Sequence, residues 1–260
     1  MIRVAVAVLV TLVTTLSIAP AARGSVPEVV AIGDSYMAGV GAGDYTVTDD
    51  CRRSAASYAA DAARRTASAL VDESCPGARI PQVLAQAGKV PATADTVLVQ
   101  VGGNDAGFSA IAFACLLPFG ANCLDQIAQS RASLPAIGEG LREIGAVVRT
   151  RSPGAQVVFA GYPRLLASPG ACASTPLGSL LDAAEVRAIN ALQAGLDRTI
   201  AAAARASGAT YVDWPRAVDR HSLCSSDPWF VTLEPREDAL HPTAKAYAAM
   251  GRSIAPLLRR

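Results

Sequence analysis

Three side chains in the sequence have the chemical types of a nucleophilic site: Ser35, Asp238 and His241. A serine hydroxyl is a weak nucleophile until a neighbouring base takes its proton, and the near-neutral pKa of histidine suits proton transfer in both directions. Asp238 precedes His241 by three residues, a spacing that can bring a carboxylate to the second ring nitrogen. We therefore predict Ser35 as the nucleophile, His241 as the base and Asp238 as the acceptor that orients the base.

A nucleophile of this kind also needs hydrogen-bond donors for the oxyanion of a tetrahedral intermediate. Asn104 offers a side-chain amide, and the backbone N–H groups of Ser35 and Gly77 offer two more. A glycine allows close approach because it has no side chain. For Asn104 and Gly77 an ordinary turn remains the alternative, since both residue types are common in turns.

The elements that must position these residues are predicted from hydrophobic patterning. Short apolar runs alternate with helical patterns, which indicates a parallel sheet covered on both faces by helices. The predicted strands are residues 26–32, 69–72, 96–101, 156–161 and 210–212. The predicted helices are residues 54–69, 80–87, 125–150 with a break near Pro135, 183–206, and a last helix beginning at Pro242. The candidate residues follow strands, and ligands of open parallel sheets bind beyond the carboxyl ends of the strands.

Length and charge limit the classes of protein to consider. A chain of 260 residues with 51% hydrophobic residues suits one α/β domain with a large core. The formal net charge is +1, and no cluster of basic residues is interleaved with aromatic ones, so nucleic-acid binding is not indicated.

Residues 1–22 have the pattern of a signal peptide. Arg3 provides a positive start, an apolar run follows, and Ala19-Pro20-Ala21 resembles a cleavage site. An uncleaved membrane anchor is the alternative, but the run is short for a spanning helix. We expect removal of residues 1–22 on export, leaving 23–260 as one domain without a stable membrane anchor.

Six cysteines remain in the exported chain, and an even number in such a protein suggests three disulfides. Of the 15 possible pairings, we take the sequential one as the working hypothesis. It joins Cys51 to Cys75, Cys115 to Cys123, and Cys172 to Cys224. A zinc site is disfavoured, because there is no Cys-x-x-Cys motif and the sequence has two histidines.

One apolar segment, residues 106–119, follows Asn104 and contains three of the five phenylalanines. We hypothesise that it forms an apolar wall for an acyl chain. A buried helix or loop is the alternative.

The motifs of this chain resemble those of the SGNH hydrolases, the GDSL-type esterases and lipases. The resemblance is carried by Gly33-Asp34-Ser35, Gly77, Gly102-Gly103-Asn104-Asp105 and the pair Asp238 and His241. It implies a flavodoxin-like, three-layer αβα sandwich with a central parallel sheet of about five strands, and a serine hydrolase without a cofactor or metal. The chain is most similar to the secreted actinobacterial lipase branch, whose three sequential disulfides support the pairing above. Some family members orient the histidine with a main-chain carbonyl instead of the carboxylate.

The sequence therefore predicts a secreted, monomeric serine carboxylic ester hydrolase whose partner is an acyl ester, lipids included. One alternative is a different acyl chemistry at the same site, such as polysaccharide or phospholipid deacylation, or acyl transfer. The other is a secreted binding protein that has kept the scaffold without turnover.

Overall fold

Five parallel strands form the sheet in the computed structural model, which describes residues 26–46, 50–116, 122–234 and 236–258. The strands are β1 Glu28–Gly33, β2 Ala69–Asp72, β3 Thr96–Gln100, β4 Gln156–Ala160 and β5 Thr210–Val212. Their order is β2-β1-β3-β4-β5, and every neighbouring pair is parallel. This flavodoxin-like order confirms the predicted fold class. The predicted signal peptide, residues 1–22, lies outside the described residues.

Two groups of helices complete the layers. The α-helices are α1 Ser35–Ala38, α2 Tyr58–Thr66, α3 Ile80–Ala87, α4 Phe108–Leu116, α5 Cys123–Ala132, α6 Leu134–Arg151, α7 Pro169–Cys172, α8 Ala183–Ala206, α9 Arg216–Asp219 and α10 Ala244–Ile254. Short 3₁₀ turns cover Pro176–Ser179, Arg236–Asp238 and Ala255–Leu257. Helix α2 packs against α10, while α6 packs against α3 and α8. The strands β1, β3 and β4 are almost wholly buried between the layers, as their uninterrupted apolar sequences predict.

The helix boundaries differ from the predicted ones at three places. The last helix begins at Ala244 rather than Pro242, because Pro242 forms an antiparallel bridge with Phe230. The predicted helix over 125–150 is two helices, α5 and α6, with Pro135 in the first turn of α6, where the missing N–H costs nothing. Helix α2 is shorter than predicted because Ser57 caps its first turn by accepting from Ala60 N–H.

All six cysteines are paired in the predicted sequential pattern, which confirms the disulfide hypothesis. The bonds join Cys51 to Cys75, Cys115 to Cys123, and Cys172 to Cys224. Across the described segments, no helix is both long and apolar enough to cross a membrane.

Candidate active site

Ser35 and His241 are in direct contact, although 206 residues separate them in the sequence. Ser35 is the first residue of α1, immediately after β1, and His241 lies three residues before α10. The Nε2 atom of His241 is 2.7 Å from Oγ of Ser35. At that distance the ring can accept the hydroxyl proton, which is the geometry that general-base activation of a serine requires.

The turn between β1 and α1 fixes the position of Ser35. A side chain at Gly33 would collide with the backbone carbonyl of Gln100 on β3, so glycine is required at this close approach. The buried amide of Gln86 accepts from Gly33 N–H at 2.7 Å and donates to its carbonyl at 3.1 Å. Asp34 caps α1 by accepting from Tyr36 N–H at 3.0 Å. Ser35 is therefore held at the junction of β1 and β3, where the strand order reverses and ligand sites of such sheets form.

The acceptor that orients His241 is the main-chain carbonyl of Ala239, not the predicted carboxylate of Asp238. Nδ1 of His241 lies 2.9 Å from that carbonyl oxygen. The Asp238 carboxylate instead lies 2.8 Å from Oη of Tyr45 and 2.7 Å from Nη2 of Arg52. The Asp238 main-chain carbonyl, at the end of a 3₁₀ turn, accepts from His241 N–H at 3.1 Å. Orientation of His241 by the Ala239 carbonyl is the main-chain arrangement that the family resemblance offered as the alternative.

Arg52, Tyr45 and Asp238 form a cluster that joins the loop after α1 to the histidine loop. The Arg52 guanidinium lies 4.5 Å above the Tyr45 ring, a cation–π geometry, and Tyr45 Oη accepts from Gly41 N–H at 3.0 Å. A side chain at Gly41 would meet Cβ of His241 at 3.0 Å, so the two loops are in contact. The Asp238 carboxylate therefore contacts the neighbouring loop and not the His241 ring. Sequence reasoning missed Arg52 and Tyr45, because neither belongs to a recognisable motif.

The three predicted oxyanion donors lie on loops that are hydrogen-bonded to one another. Cys75 N–H donates to the Gly33 carbonyl at 3.0 Å, which brings the loop after β2 to the start of α1. The Asn104 side-chain amide donates one of its two hydrogens to the Ala78 carbonyl at 3.0 Å, next to Gly77. Among the hydrogen bonds of the described residues, none uses the backbone N–H of Ser35 or Gly77. These donors, with the second amide hydrogen of Asn104, remain available for a ligand.

Asp34 holds the site together rather than acting as a base. It is buried, and burial raises its pKa to about 7 although its hydrogen bonds to Tyr162 and Tyr36 act in the opposite direction. The hydroxyl of Tyr162 donates a hydrogen bond to the Asp34 carboxylate at 2.5 Å and accepts one from Gly103 N–H at 3.0 Å. Tyr162, which the sequence analysis missed, thus connects the nucleophile turn to the loop that carries Asn104.

Tyr36 and Asp105 make further hydrogen bonds that hold the loops of the site in place. The hydroxyl of Tyr36 donates to the Leu240 carbonyl at 3.0 Å, next to His241. Asp105 accepts from the Ile80 N–H at the start of α3, at 3.1 Å and 3.2 Å. Asp34 thus fixes its own turn, while Asp105 fixes the start of a helix from another part of the chain.

An apolar cavity opens beside Ser35 and Asn104 and runs between α4 and α8. Helix α4 contributes Phe108, Ile111, Ala112, Cys115 and Leu116, and α8 contributes Ile189, Leu192, Gln193 and Leu196. The predicted apolar wall is therefore a helix with one face on the cavity. Phe113 lies on the opposite face and is 58% exposed, and residues 117–119 lie outside the described residues. In the described part of the chain, no three His, Cys, Asp or Glu side chains are grouped to hold a metal ion.

The second histidine, His221, takes no part in this arrangement. Its ring stacks on Trp229 with 4.0 Å between centroids, and its Nδ1 lies 3.4 Å from the Asp227 carboxylate. His221 lies near a carboxylate but outside the site, so replacing that carboxylate provides a control for replacing Asp238 near His241.

The replacement Asp238→Asn should leave kcat within about tenfold of the parent, since the Ala239 carbonyl still orients the ring. If the carboxylate were the essential acceptor, the loss would approach 10⁴-fold, roughly the cost of a wrong tautomer. Burial lowers the pKa of His241 below 6.5, while Asp238 raises it. Because the base must be neutral, the acid limb of kcat/KM should lie below pH 6.5 and should move lower still in Asp238→Asn.

The pH profile of a chromogenic ester hydrolysis measures both effects, with Asp227→Asn as the matched control at the other histidine. That control should leave the profile unchanged. A shift of the acid limb to higher pH in Asp238→Asn would contradict the assigned arrangement.

The chain thus combines a flavodoxin-like α/β fold with a serine and a histidine in direct contact at the sheet edge. Residues 31–249 match the GDSL-like Lipase/Acylhydrolase family. The chain therefore belongs to this family, and it is an ester hydrolase.

Relatives in Streptomyces are similar over most of the chain. A lipase from Streptomyces rimosus is 39% identical over 233 residues, covering 86% of this chain and 84% of the relative. The crystal structure of the extracellular lipase from that species superposes with a TM-score of 0.80 at 35% identity, covering 87% of this chain and 99% of that one. Phospholipase A1 from Streptomyces albidoflavus gives a TM-score of 0.79 at 32% identity, covering 90% and 98%.

Proposed function

We propose that this protein is a secreted serine carboxylic ester hydrolase that cleaves acyl esters through an acyl-enzyme on Ser35. The observation that carries the proposal is the 2.7 Å contact between Ser35 Oγ and His241 Nε2 at the mouth of an apolar cavity. Family membership gives the ester chemistry. The cavity adds the substrate class, an ester with an apolar acyl chain.

The reaction runs in two halves at this pair. Ser35 Oγ attacks the ester carbonyl carbon as Nε2 of His241 takes the hydroxyl proton. The oxyanion accepts hydrogen bonds from Ser35 N–H, Gly77 N–H and the Asn104 amide. The C–O bond to the alcohol then breaks, and His241 returns the proton to the departing alkoxide. Water attacks the acyl-enzyme by the reverse route, which releases the acid and restores the serine hydroxyl.

The cavity wall gives a test of substrate class. Each added methylene of an acyl chain is worth about 0.8 kcal/mol when buried, or roughly fourfold in kcat/KM. We expect kcat/KM for p-nitrophenyl esters to rise from acetate to octanoate. The replacement Ala112→Phe fills the cavity from α4, and it should lower the octanoate value by about tenfold or more with little effect on acetate.

The control for this test is Ala110→Phe on the same helix. Ala110 is exposed and does not line the cavity, so its replacement should leave the chain-length profile unchanged. A sharp preference of the parent enzyme for acetate would exclude the proposed acyl site.

Phospholipid deacylation is a second candidate, favoured by the likeness to a structure described as a phospholipase A1. It would use the same serine and the same cavity. Comparing kcat/KM for a phosphatidylcholine and for a neutral ester of equal acyl length distinguishes the two candidates.

Export completes the proposal. We assign residues 1–22 as a signal peptide removed on secretion and 23–260 as the mature domain, acting as a monomer without a cofactor. The three disulfides support an oxidising compartment, and the similar lipase of Streptomyces rimosus is described as extracellular.

A further inference from the structure

A second hollow lies next to the acyl cavity, between the segment around α7 and the loops after α9. Its apolar surface, here called the leucine groove, consists of Leu177, Leu180, Leu223, Leu233 and Leu240. Serine and threonine side chains, two prolines, Ala171, Cys224 and Glu234 complete its walls. Leu180 and Leu233 are 43% and 45% exposed, and they lie in the same apolar patch as the other three leucines.

The leucine groove shares part of its lining with the apolar cavity beside Ser35, here called the acyl cavity. Leu177, Leu223 and Leu240 line both hollows. Leu240 also precedes His241. Its carbonyl accepts a hydrogen bond from the hydroxyl of Tyr36, the residue after Ser35. The two hollows therefore share a wall residue that is adjacent to His241 in the chain.

A disulfide and main-chain hydrogen bonds hold the groove in shape. The disulfide between Cys172 and Cys224 ties its two sides together. Leu240 has a φ of +64°, a conformation that costs a leucine free energy, and a 2.8 Å hydrogen bond from its N–H to the Val231 carbonyl holds it there. Leu223 N–H donates to the Leu165 carbonyl at 2.9 Å. A preformed apolar surface binds a chain at a lower entropic cost than one that must be assembled.

We propose that the leucine groove binds a second hydrocarbon chain of the substrate while the scissile acyl chain occupies the cavity. The inference rests on the proposed function. An ester held at Ser35 places its acyl chain in the cavity, so its alcohol part must leave by another direction. In a molecule with chains on adjacent carbons, the second chain starts within a few bonds of the scissile ester. Two neighbouring apolar hollows that share Leu240, the residue before His241, match such a two-chain ester.

The test compares monomeric 1,2-dihexanoylglycerol with 1-hexanoylglycerol, which lacks the second chain. The replacements Leu180→Ser and Leu233→Ser should each lower kcat/KM for the two-chain ester by about fivefold or more, because apolar contact with the chain is lost. Both should leave the one-chain ester within about twofold. Thr232→Trp, which fills the groove from an exposed rim position, should have the same selective effect.

The matched control is Leu124→Ser on α5, since Leu124 is 43% exposed, like Leu180, but lies outside the groove. This variant should leave kcat/KM unchanged for both substrates. Equal losses of kcat/KM on both substrates, or no loss on the two-chain ester, would overturn the proposal. The variants are also assayed on emulsified lipid. A loss seen only there would overturn the proposal too, because it would indicate docking on a lipid surface. If the parent enzyme cleaves neither ester, the proposed function fails as well. If it cleaves the one-chain ester, ester hydrolysis stands, and the variants then test the leucine groove alone.

Discussion

Replacing Ser35 by alanine is expected to lower kcat for a chromogenic ester by at least about 10⁴-fold. The replacement removes the only atom that forms the acyl-enzyme, and it leaves His241 without the proton it must take. The fold should survive, because α1 is capped by Asp34 and the turn is held by Gln86 rather than by the Ser35 hydroxyl. A stopped assay at high enzyme concentration and a thermal melt measure the two outcomes.

Ser130→Ala is the matched control for this replacement. Ser130 is also buried, and its hydroxyl has no hydrogen-bond partner among the described residues, so its loss should affect neither activity nor melting. A fluorophosphonate probe should label the parent protein at Ser35 and should fail to label Ser35→Ala. Retained turnover in Ser35→Ala, with intact melting, would exclude the serine as the nucleophile.

The replacement Asn104→Ala is expected to lower kcat by about 10²–10³-fold, the usual cost of one oxyanion donor. The effect should fall mainly on kcat and less on KM, because the bond to the oxyanion forms fully only in the transition state. Steady-state kinetics on the ester that the parent enzyme cleaves fastest separate the two constants.

Asn104 also donates to the Ala78 carbonyl, so part of any loss could come from a displaced loop. Asn190→Ala is the matched control, since Asn190 also donates its side-chain amide to a main-chain carbonyl, that of Ala167, at 3.0 Å. The control should keep kcat within a few-fold of the parent. An unchanged kcat in Asn104→Ala would remove this residue from the oxyanion site.

The buried polar groups around Ser35 explain how the site keeps its geometry on short loops. Each loop end is bonded to another part of the chain: Gly33 to Gln86, Gly103 to Tyr162, and Leu240 to Tyr36. Buried hydrogen bonds are costly to break, because the groups that they leave unpaired cannot turn to water. Ser35, Asn104 and His241 are therefore positioned by hydrogen bonds from residues outside the Ser35–His241 pair.

Much of the fold could be predicted from the sequence, because strands and helices depend on neighbours close in the chain. The predicted strands match the observed ones within two residues at each end, and α3 and α8 have the predicted bounds. The last helix was predicted to begin at Pro242, but Pro242 pairs with Phe230 in a β-bridge and the helix begins two residues later. Patterning cannot detect a competing partner twelve residues away.

The sequence by itself determined the strand and helix pattern, the types of the reactive groups and their place after the strands, because these follow from local periodicity and chemical type. Only the tertiary structure decided which acceptor holds His241. The Ala239 carbonyl takes that role because Arg52 and Tyr45, from another loop, hold the Asp238 carboxylate. The same holds for the cavity between α4 and α8 and for the leucine groove, which are spaces between segments that no single segment encodes.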